Sequence, residues 1–153
     1  MKGKDSLSKA RRSWNMSRIR SKNTTPEIIV RSMLHKIGYR FRLHVKIPVP
    51  ESINFPFRRR VICPDIVLPK YKTVIFVHGC FWHRHKNCTD CTTPTNRREW
   101  WLAKLNGNAA RDERHKRILK RLNWRIIVIW ECRLREPKKL INKLTKALKC
   151  PGD

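Results

Sequence analysis

The polar and apolar positions of this 153-residue chain separate it into a few readable segments. Residues 1–23 show no apolar periodicity. Thr24-Thr25-Pro26-Glu27 then reads as a helix start, with Thr at the N-cap, Pro in the first turn and an acid three residues after Thr24. Val30, Met33, Leu34 and Ile37 follow at helical spacing, and Gly38 supplies the stop. Arg40-Phe41-Arg42-Leu43 alternates as a strand does, after which Pro48, Pro50 and Pro56 predict an irregular loop to residue 60. Three core strands are expected: Arg60 to Val67, ending near Pro64-Asp65; Lys72 to His78; and Trp124 to Glu131. The last two are almost continuous Val, Ile and Phe, the pattern of strands buried on both faces. A basic helical stretch from Asn96 to Leu122 is expected between them, interrupted near Gly107. Its Trp100, Trp101, Ile118, Leu119 and Leu122 would cover the sheet. A last helix after Pro137 would turn Leu140, Ile141, Leu144 and Leu148 inward. Strands alternating with helices predict an α/β sandwich. No repeat or flexible linker divides it, so residues 24–153 read as a single domain behind a 1–23 arm. No apolar run approaches the length of a transmembrane helix.

Charge adds a partner to this picture. Lys and Arg number 37 against 11 Asp and Glu, a formal net charge of +26. An excess of that size repels itself unless a polyanion neutralises it. Nucleic acid is the usual one, since its phosphates reward basic side chains through counterion release. A merely soluble surface or an acidic membrane ranks lower, because the basic residues are spread along the chain and mixed with Trp, Asn and Ser. Residues 1–25 carry eight Lys or Arg and a single acid, Asp5. Organelle transit peptides share that composition, but no apolar segment of a secretory signal is present. The segment reads as a DNA-contacting arm, disordered until it binds. Arg58-Arg59-Arg60 fits a solvated loop and a phosphate contact equally.

The chemistry concentrates in His78-Gly-Cys-Phe-Trp-His-Arg-His85. Six cysteines in a chain with no secretory mark, clustered with histidines, favour a metal in a reducing cytosol over disulfides. Cys80, His85 and Cys88, joined by the distant Cys132, can wrap a tetrahedral Zn²⁺. Four protein ligands would close such a site and make it structural. Cys91 competes, because Cys88-x2-Cys91 is also a zinc-knuckle spacing, and ordinary buried cysteines are the plain alternative. Asp65 follows Pro64 at a strand end and is either a turn residue or a carboxylate for Mg²⁺, with the main-chain carbonyl of Val77 as a second oxygen. His78 and His83 could supply the acid and base of phosphodiester hydrolysis, or simply pack. Glu27 reads most simply as a helix cap. Phe81 and Trp82, set between a ligand and a histidine, could stack on bases or wedge between base pairs, against the alternative of core packing. Met16, in the arm, has no evident core to join and could wedge from the other groove.

Four stretches together resemble one known family. Arg60-Val-Ile-Cys-Pro-Asp65, Val74-Ile-Phe-Val-His-Gly-Cys-Phe-Trp-His83, Arg97-Arg-Glu-Trp-Trp101 and Trp124-Arg-Ile-Ile-Val-Ile-Trp-Glu-Cys132 are similar to the very-short-patch repair (Vsr) endonucleases, and Arg18 to Glu27 also fits. The resemblance covers nearly the whole chain. It implies a restriction-endonuclease-like fold: a central mixed sheet flanked by helices, with a structural zinc. It implies an Mg²⁺-dependent nickase that cuts 5′ to the T of a T:G mismatch left by deamination of 5-methylcytosine. By position, Asp65 would bind Mg²⁺, His78 and His83 would be the acid/base pair, and Glu27 would position the attacking water. Cys80, His85, Cys88 and Cys132 would hold zinc. Phe81, Trp82 and Met16 would intercalate beside the mismatch. The expected partner is double-stranded DNA with a T:G mismatch, with no membrane, a monomeric protein, repair proteins as further partners, and the bacterial cytoplasm and nucleoid as its place. Three departures stand out: Val77 replaces a frequent Thr, Cys91 is extra, and the loop at 46–60 is longer than usual. Two other readings compete: a restriction-type nuclease acting on intact or modified duplex, and a catalytically silent zinc-bearing DNA-binding module.

Overall fold

The computed structural model describes residues 8–149; residues 1–7 of the basic arm and Cys150 lie outside them. The first element, α1 (Lys9–Ser17), corrects the expectation of an arm without structure. Ser8 caps it by accepting from the Arg11 N–H at 3.2 Å, and Arg18 lies 4.6 Å over the Trp14 ring. None of its residues is buried, so local caps and not a core make it helical.

Helix α2 (Thr25–Lys36) starts and stops where expected, with Gly38 at φ +86° behind it. It is followed by β1 (Arg42–Leu43), β2 (Ile47–Pro48), β3 (Val61–Ile62) and β4 (Ile66–Leu68). The single strand expected over residues 60–67 is therefore two short ones. Pro64 has no N–H to give a ladder, and the chain breaks there. Strand β3 pairs antiparallel with β2 in a small separate sheet, while β4 joins the main one. Next come β5 (Thr73–His78), α3 (Arg98–Arg121), β6 (Arg125–Trp130) and α4 (Pro137–Leu148). The main sheet has the order β1-β4-β5-β6. β4 is antiparallel to both β1 and β5, whereas β5 and β6 run parallel, with Val77 opposite Ile129 and His78 opposite Trp130. The result is a mixed α/β fold with helices on both sides of a mixed sheet.

Two expectations about burial change. β5 is almost wholly buried, as its sequence says, but β6 is only half-buried apart from Ile129. It lies at the sheet edge and has one strand neighbour instead of two. Helix α3 runs unbroken through Gly107, which costs about 1 kcal/mol relative to alanine but is exposed with nothing near it. Leu105, Ile118 and Leu119 anchor the helix on either side of that glycine.

The sheet separates two cores by strand alternation. Ile66, Leu68 and Ile75 face Val30 and Leu34 of α2 and Leu140, Leu144 and Leu148 of α4. Val67 and Val74 face Ile118 and Leu119 of α3 and Ile62 of the small sheet. Each such aliphatic side chain contributes about 1.5–3 kcal/mol on full burial. Together they fix β4 and β5 from both sides, which holds Asp65 and His78 at adjacent strand ends. No helix among the described residues is long and apolar enough to cross a membrane.

Candidate active site and metal centre

Beyond β5 the chain folds back in a tight turn. The His83 N–H donates to the Gly79 carbonyl at 3.1 Å, and the His85 N–H donates to that of Cys80 at 3.0 Å. These bonds bring His83 back onto His78, with ring centroids 3.9 Å apart and planes within 3°. They also aim Cys80 and His85 away from that pair, toward the end of β6. The eight residues from His78 to His85 thus serve two separate clusters.

The first cluster is Cys80, His85, Cys88 and Cys132, whose ligand atoms all lie within 4.8 Å of one another. Cys80 Sγ and Cys132 Sγ are each 3.5 Å from His85 Nδ1. A tetrahedral zinc with bonds of about 2.3 Å to sulfur and about 2.0 Å to nitrogen would set S and N about 3.5 Å apart. The donor set therefore fits the metal in both chemistry and size. Burial, with Cys132 and Cys88 beside it, pushes the Cys80 thiol up to about 12, so a cation is what would ionise these sulfurs. Cys91 is outside the cluster; its N–H donates to the Cys88 carbonyl at 3.1 Å.

The second cluster is His78, His83 and Asp112. His83 Nδ1 is 2.5 Å from Asp112 Oδ2, from the middle of α3. Burial raises Asp112, but the hydrogen bond and charge of His83 outweigh it and leave the carboxyl below its usual range. Asp112 is then the acceptor, Nδ1 the donor, and Nε2 the ring atom left for a substrate. His78 is buried, and its pKa is lowered to about 3 by that burial and by the neighbouring imidazole. Trp130 links the two clusters: its ring stacks on His85 at 4.1 Å and meets His78 edge-on at 5.3 Å.

Asp65 sits in the turn between β3 and β4. Its Oδ2 accepts the Val77 N–H at 2.8 Å, in place of a strand partner, and Oδ1 has no hydrogen-bond partner among the described residues. Burial, opposed by that hydrogen bond, holds its pKa up at about 6, with the charge of Glu27 adding to the rise. Glu27 is buried at the start of α2 and does cap it, accepting from the Asn23 N–H at 3.0 Å and the Thr24 hydroxyl at 2.9 Å. It also pairs with Arg31 at 2.9 Å. Glu27, Asp65, His78, His83, Trp82 and Met16 line one cleft of about 1150 Å³, drawn from four different stretches of chain.

Trp100 and Trp101 correct the expectation that they cover the sheet. Trp100 is exposed, and Trp101 meets Phe81 at 5.5 Å and Trp82 at 5.9 Å. Lys104 reaches over the rings of Trp82, Trp100 and Trp101. A basic aromatic surface therefore flanks the histidine cluster. Asp112, Arg31 and Trp130 had no sequence signal that marked them. Arg111-Asp112-Glu113-Arg114 reads as a solvated helix face, and Trp130 as one more apolar strand residue.

Residues 4–91 match the DNA mismatch endonuclease Vsr family. The chain belongs to that family. It is 46% identical over 130 residues to the type II nicking enzyme V.XorIIP of Xanthomonas oryzae, covering 85% of this chain and 86% of that one. It is 36% identical over 148 residues to the type II nicking enzyme V.NmeAIP of Neisseria meningitidis, covering 95% and 96%. It is 39% identical over 141 residues to the DNA mismatch endonuclease Vsr of Escherichia coli, covering 92% and 82%. As a Vsr-family chain it is a DNA-nicking endonuclease, which gives the net charge of +26 its polyanion.

Proposed function

We propose that this Vsr-family enzyme nicks one strand of duplex DNA 5′ to the T of a T:G mismatch, depends on Mg²⁺, and acts as a monomer to start very-short-patch repair. The observation that carries the reading is the shared cleft: Asp65, His78, the His83–Asp112 pair and the side chains of Trp82 and Met16 all border it. Hydrolytic groups and wedge groups in one cleft are what a mismatch-dependent nickase needs. The name of the Escherichia coli relative, a mismatch endonuclease, supports it further.

In this reading Asp65 and the main-chain carbonyl of Val77 would hold Mg²⁺, the oxygen ligands that hard cation prefers. Bound there, Mg²⁺ would supply Lewis-acid polarisation of the phosphoryl group and help to activate water. His78 accepts a proton from the attacking water, and Glu27 helps to position that water through the wall it builds with Asn23 and Arg31. His83, held by Asp112, gives a proton from Nε2 to the leaving oxygen. Cys80, His85, Cys88 and Cys132 would hold a structural zinc that keeps the 78–85 turn rigid and does no chemistry. Phe81 and Trp82 enter the stack from one groove and Met16 from the other, where a weakly stacked mismatch opens at lower cost than a good pair. We take the fold as restriction-endonuclease-like, with residues 24–153 as the endonuclease domain and 1–23 as the DNA arm. The bacterial cytoplasm, at the nucleoid, is its place of action.

The test is incubation of zinc-loaded protein with labelled duplexes and Mg²⁺. A single nick on the T strand of the T:G duplex, with the matched duplex intact, is expected. Cutting of the matched duplex would favour a restriction-type nuclease. Binding without cleavage, unchanged by Asp65→Ala, would favour a silent DNA-binding module and sink the proposal.

A further inference from the structure

The segment 44–60, predicted as an irregular loop, is a built structure. Ile47–Pro48 pairs with Val61–Ile62, and the Val49 N–H donates to the Arg60 carbonyl at 2.8 Å. The Arg60 guanidinium is used inside the segment: it donates to the carbonyls of Val49 at 3.2 Å and of Pro50 and Ile53, each at 2.5 Å. Phe55 is buried in the core on the α3 side of the sheet. Of the Arg58-Arg59-Arg60 run, then, one member is internal. The other two are exposed, and neither has an acidic partner among the described residues. Phe57, beside them, is 41% exposed although Phe55 and His115 pack against it. Such a tip, rigid below and apolar and cationic above, has its surface set for a partner with phosphates and flat apolar edges.

Its position says which partner. Phe57 lies 6.1 Å from the ring of His115, and the Arg114 guanidinium is 6.0 Å over its face. His115 lines the catalytic cleft, on the same face of α3 as Lys104, Asn108, Arg111 and Asp112. The aromatic surface of Phe81, Trp82 and Trp101 stands toward the other end of that face. Residues 101 and 115 are separated by about 21 Å along a helix rising about 1.5 Å per residue. That length is about six base steps of duplex DNA at about 3.4 Å each.

We infer that the 44–60 hairpin is a second DNA-contacting arm, in which Arg58 and Arg59 neutralise phosphates and Phe57 packs on the sugar or base edges about six base pairs from the mismatch wedge. The inference rests on the DNA-nicking reading of the cleft and adds to it a fixed requirement for flanking duplex on one side. α3 is the spacer that sets the distance.

The test compares wild type with Arg58→Ala/Arg59→Ala and with Phe57→Ala, using full-length zinc-loaded protein and T:G duplexes with a long or a truncated flank on either side. Wild type should bind more weakly when one particular flank is cut to about four base pairs, and the double variant should be indifferent to that truncation. Two lost phosphate contacts lower the slope of log affinity against log salt by about 2, so wild type should lose roughly tenfold more affinity than the double variant between about 50 and 200 mM salt. Hydroxyl-radical footprints of the double variant should be shorter at that flank only. Phe57→Ala should weaken binding about fivefold or more and leave the salt slope unchanged. Equal footprints, slopes and flank dependence for all three proteins, with wild type nicking normally, would overturn the inference alone. A wild type that neither binds nor nicks the duplex would overturn the underlying reading with it.

Discussion

Replacing Asp65 with Asn should stabilise the metal-free protein while abolishing nicking. In the structure the Asp65 carboxyl is held up at about 6, against an ordinary 3.8, mainly by burial and despite the Val77 hydrogen bond. A carboxyl raised in this way favours its protonated form in the folded state. The folded chain binds more protons than the unfolded one between those two values, so stability is lost as pH rises from about 3.8 to about 6 and the full cost is present above that. The gap corresponds to roughly 3 kcal/mol, and the partial exposure of Asp65 lowers it to about 1.5 kcal/mol. Asn keeps an oxygen for the Val77 N–H and carries no charge, so the variant avoids this cost. For a domain of this size the gain is about 3–6 °C in Tm at neutral pH. Denaturant unfolding followed by tryptophan fluorescence, in parallel for both proteins without Mg²⁺, measures it. The difference should be largest near pH 8, shrink below pH 6 and vanish near pH 4, while zinc loss at acid pH affects both chains alike. A stability difference independent of pH, or a variant weaker than wild type at pH 8, would refute the account of Asp65 as a carboxylate held at a cost for a cation.

Other consequences are as direct. Cys88→Ser or Cys132→Ser should remove the bound zinc and unfold the 78–85 turn, whereas Cys91→Ser should keep one zinc per chain; metal analysis with circular dichroism reads both, and equal zinc loss in Cys91→Ser would contradict the cluster. Asp112→Asn frees His83 from its Nδ1 acceptor, and single-turnover nicking should drop by about 10²–10⁴ with DNA affinity unchanged. A drop of less than about fivefold would show that His83 does not depend on Asp112. Trp82→Ala should cost about 1–3 kcal/mol of binding to a T:G duplex and less to a matched one, so mismatch preference narrows in a competition assay.

Much of the fold and of the metal cluster could be read along the chain, because short-range rules govern them. Thr24-Thr-Pro-Glu27 starts a helix whatever surrounds it, Gly38 ends it, and the apolar runs at 74–77 and 126–130 have no stable place but a sheet. Cysteine and histidine at close spacing also announce a metal cluster, since three of its four members lie in one turn. The contrary cases all depend on distant neighbours. Pro64 broke one expected strand into two, and β6 lost half its expected burial because nothing in its sequence says that it lies at an edge. Cys91 could be set apart from the cluster only by where the turn put it. Asp112 sits 29 residues from His83 in a basic helix face, where an acid ordinarily pairs with solvent or a neighbour. Trp100 and Trp101 have the composition of core residues, yet Trp101 is drawn to Phe81 and Trp82 by a contact across the fold and Trp100 packs edge-on against Trp101 at the surface. The sequence by itself therefore determined most of the elements, the candidate metal ligands and the polyanionic partner, which follow from local propensity, spacing and net charge. Only the tertiary structure decided which side chains share the cleft, because α3 crosses the end of β5 through packing between residues far apart in the chain.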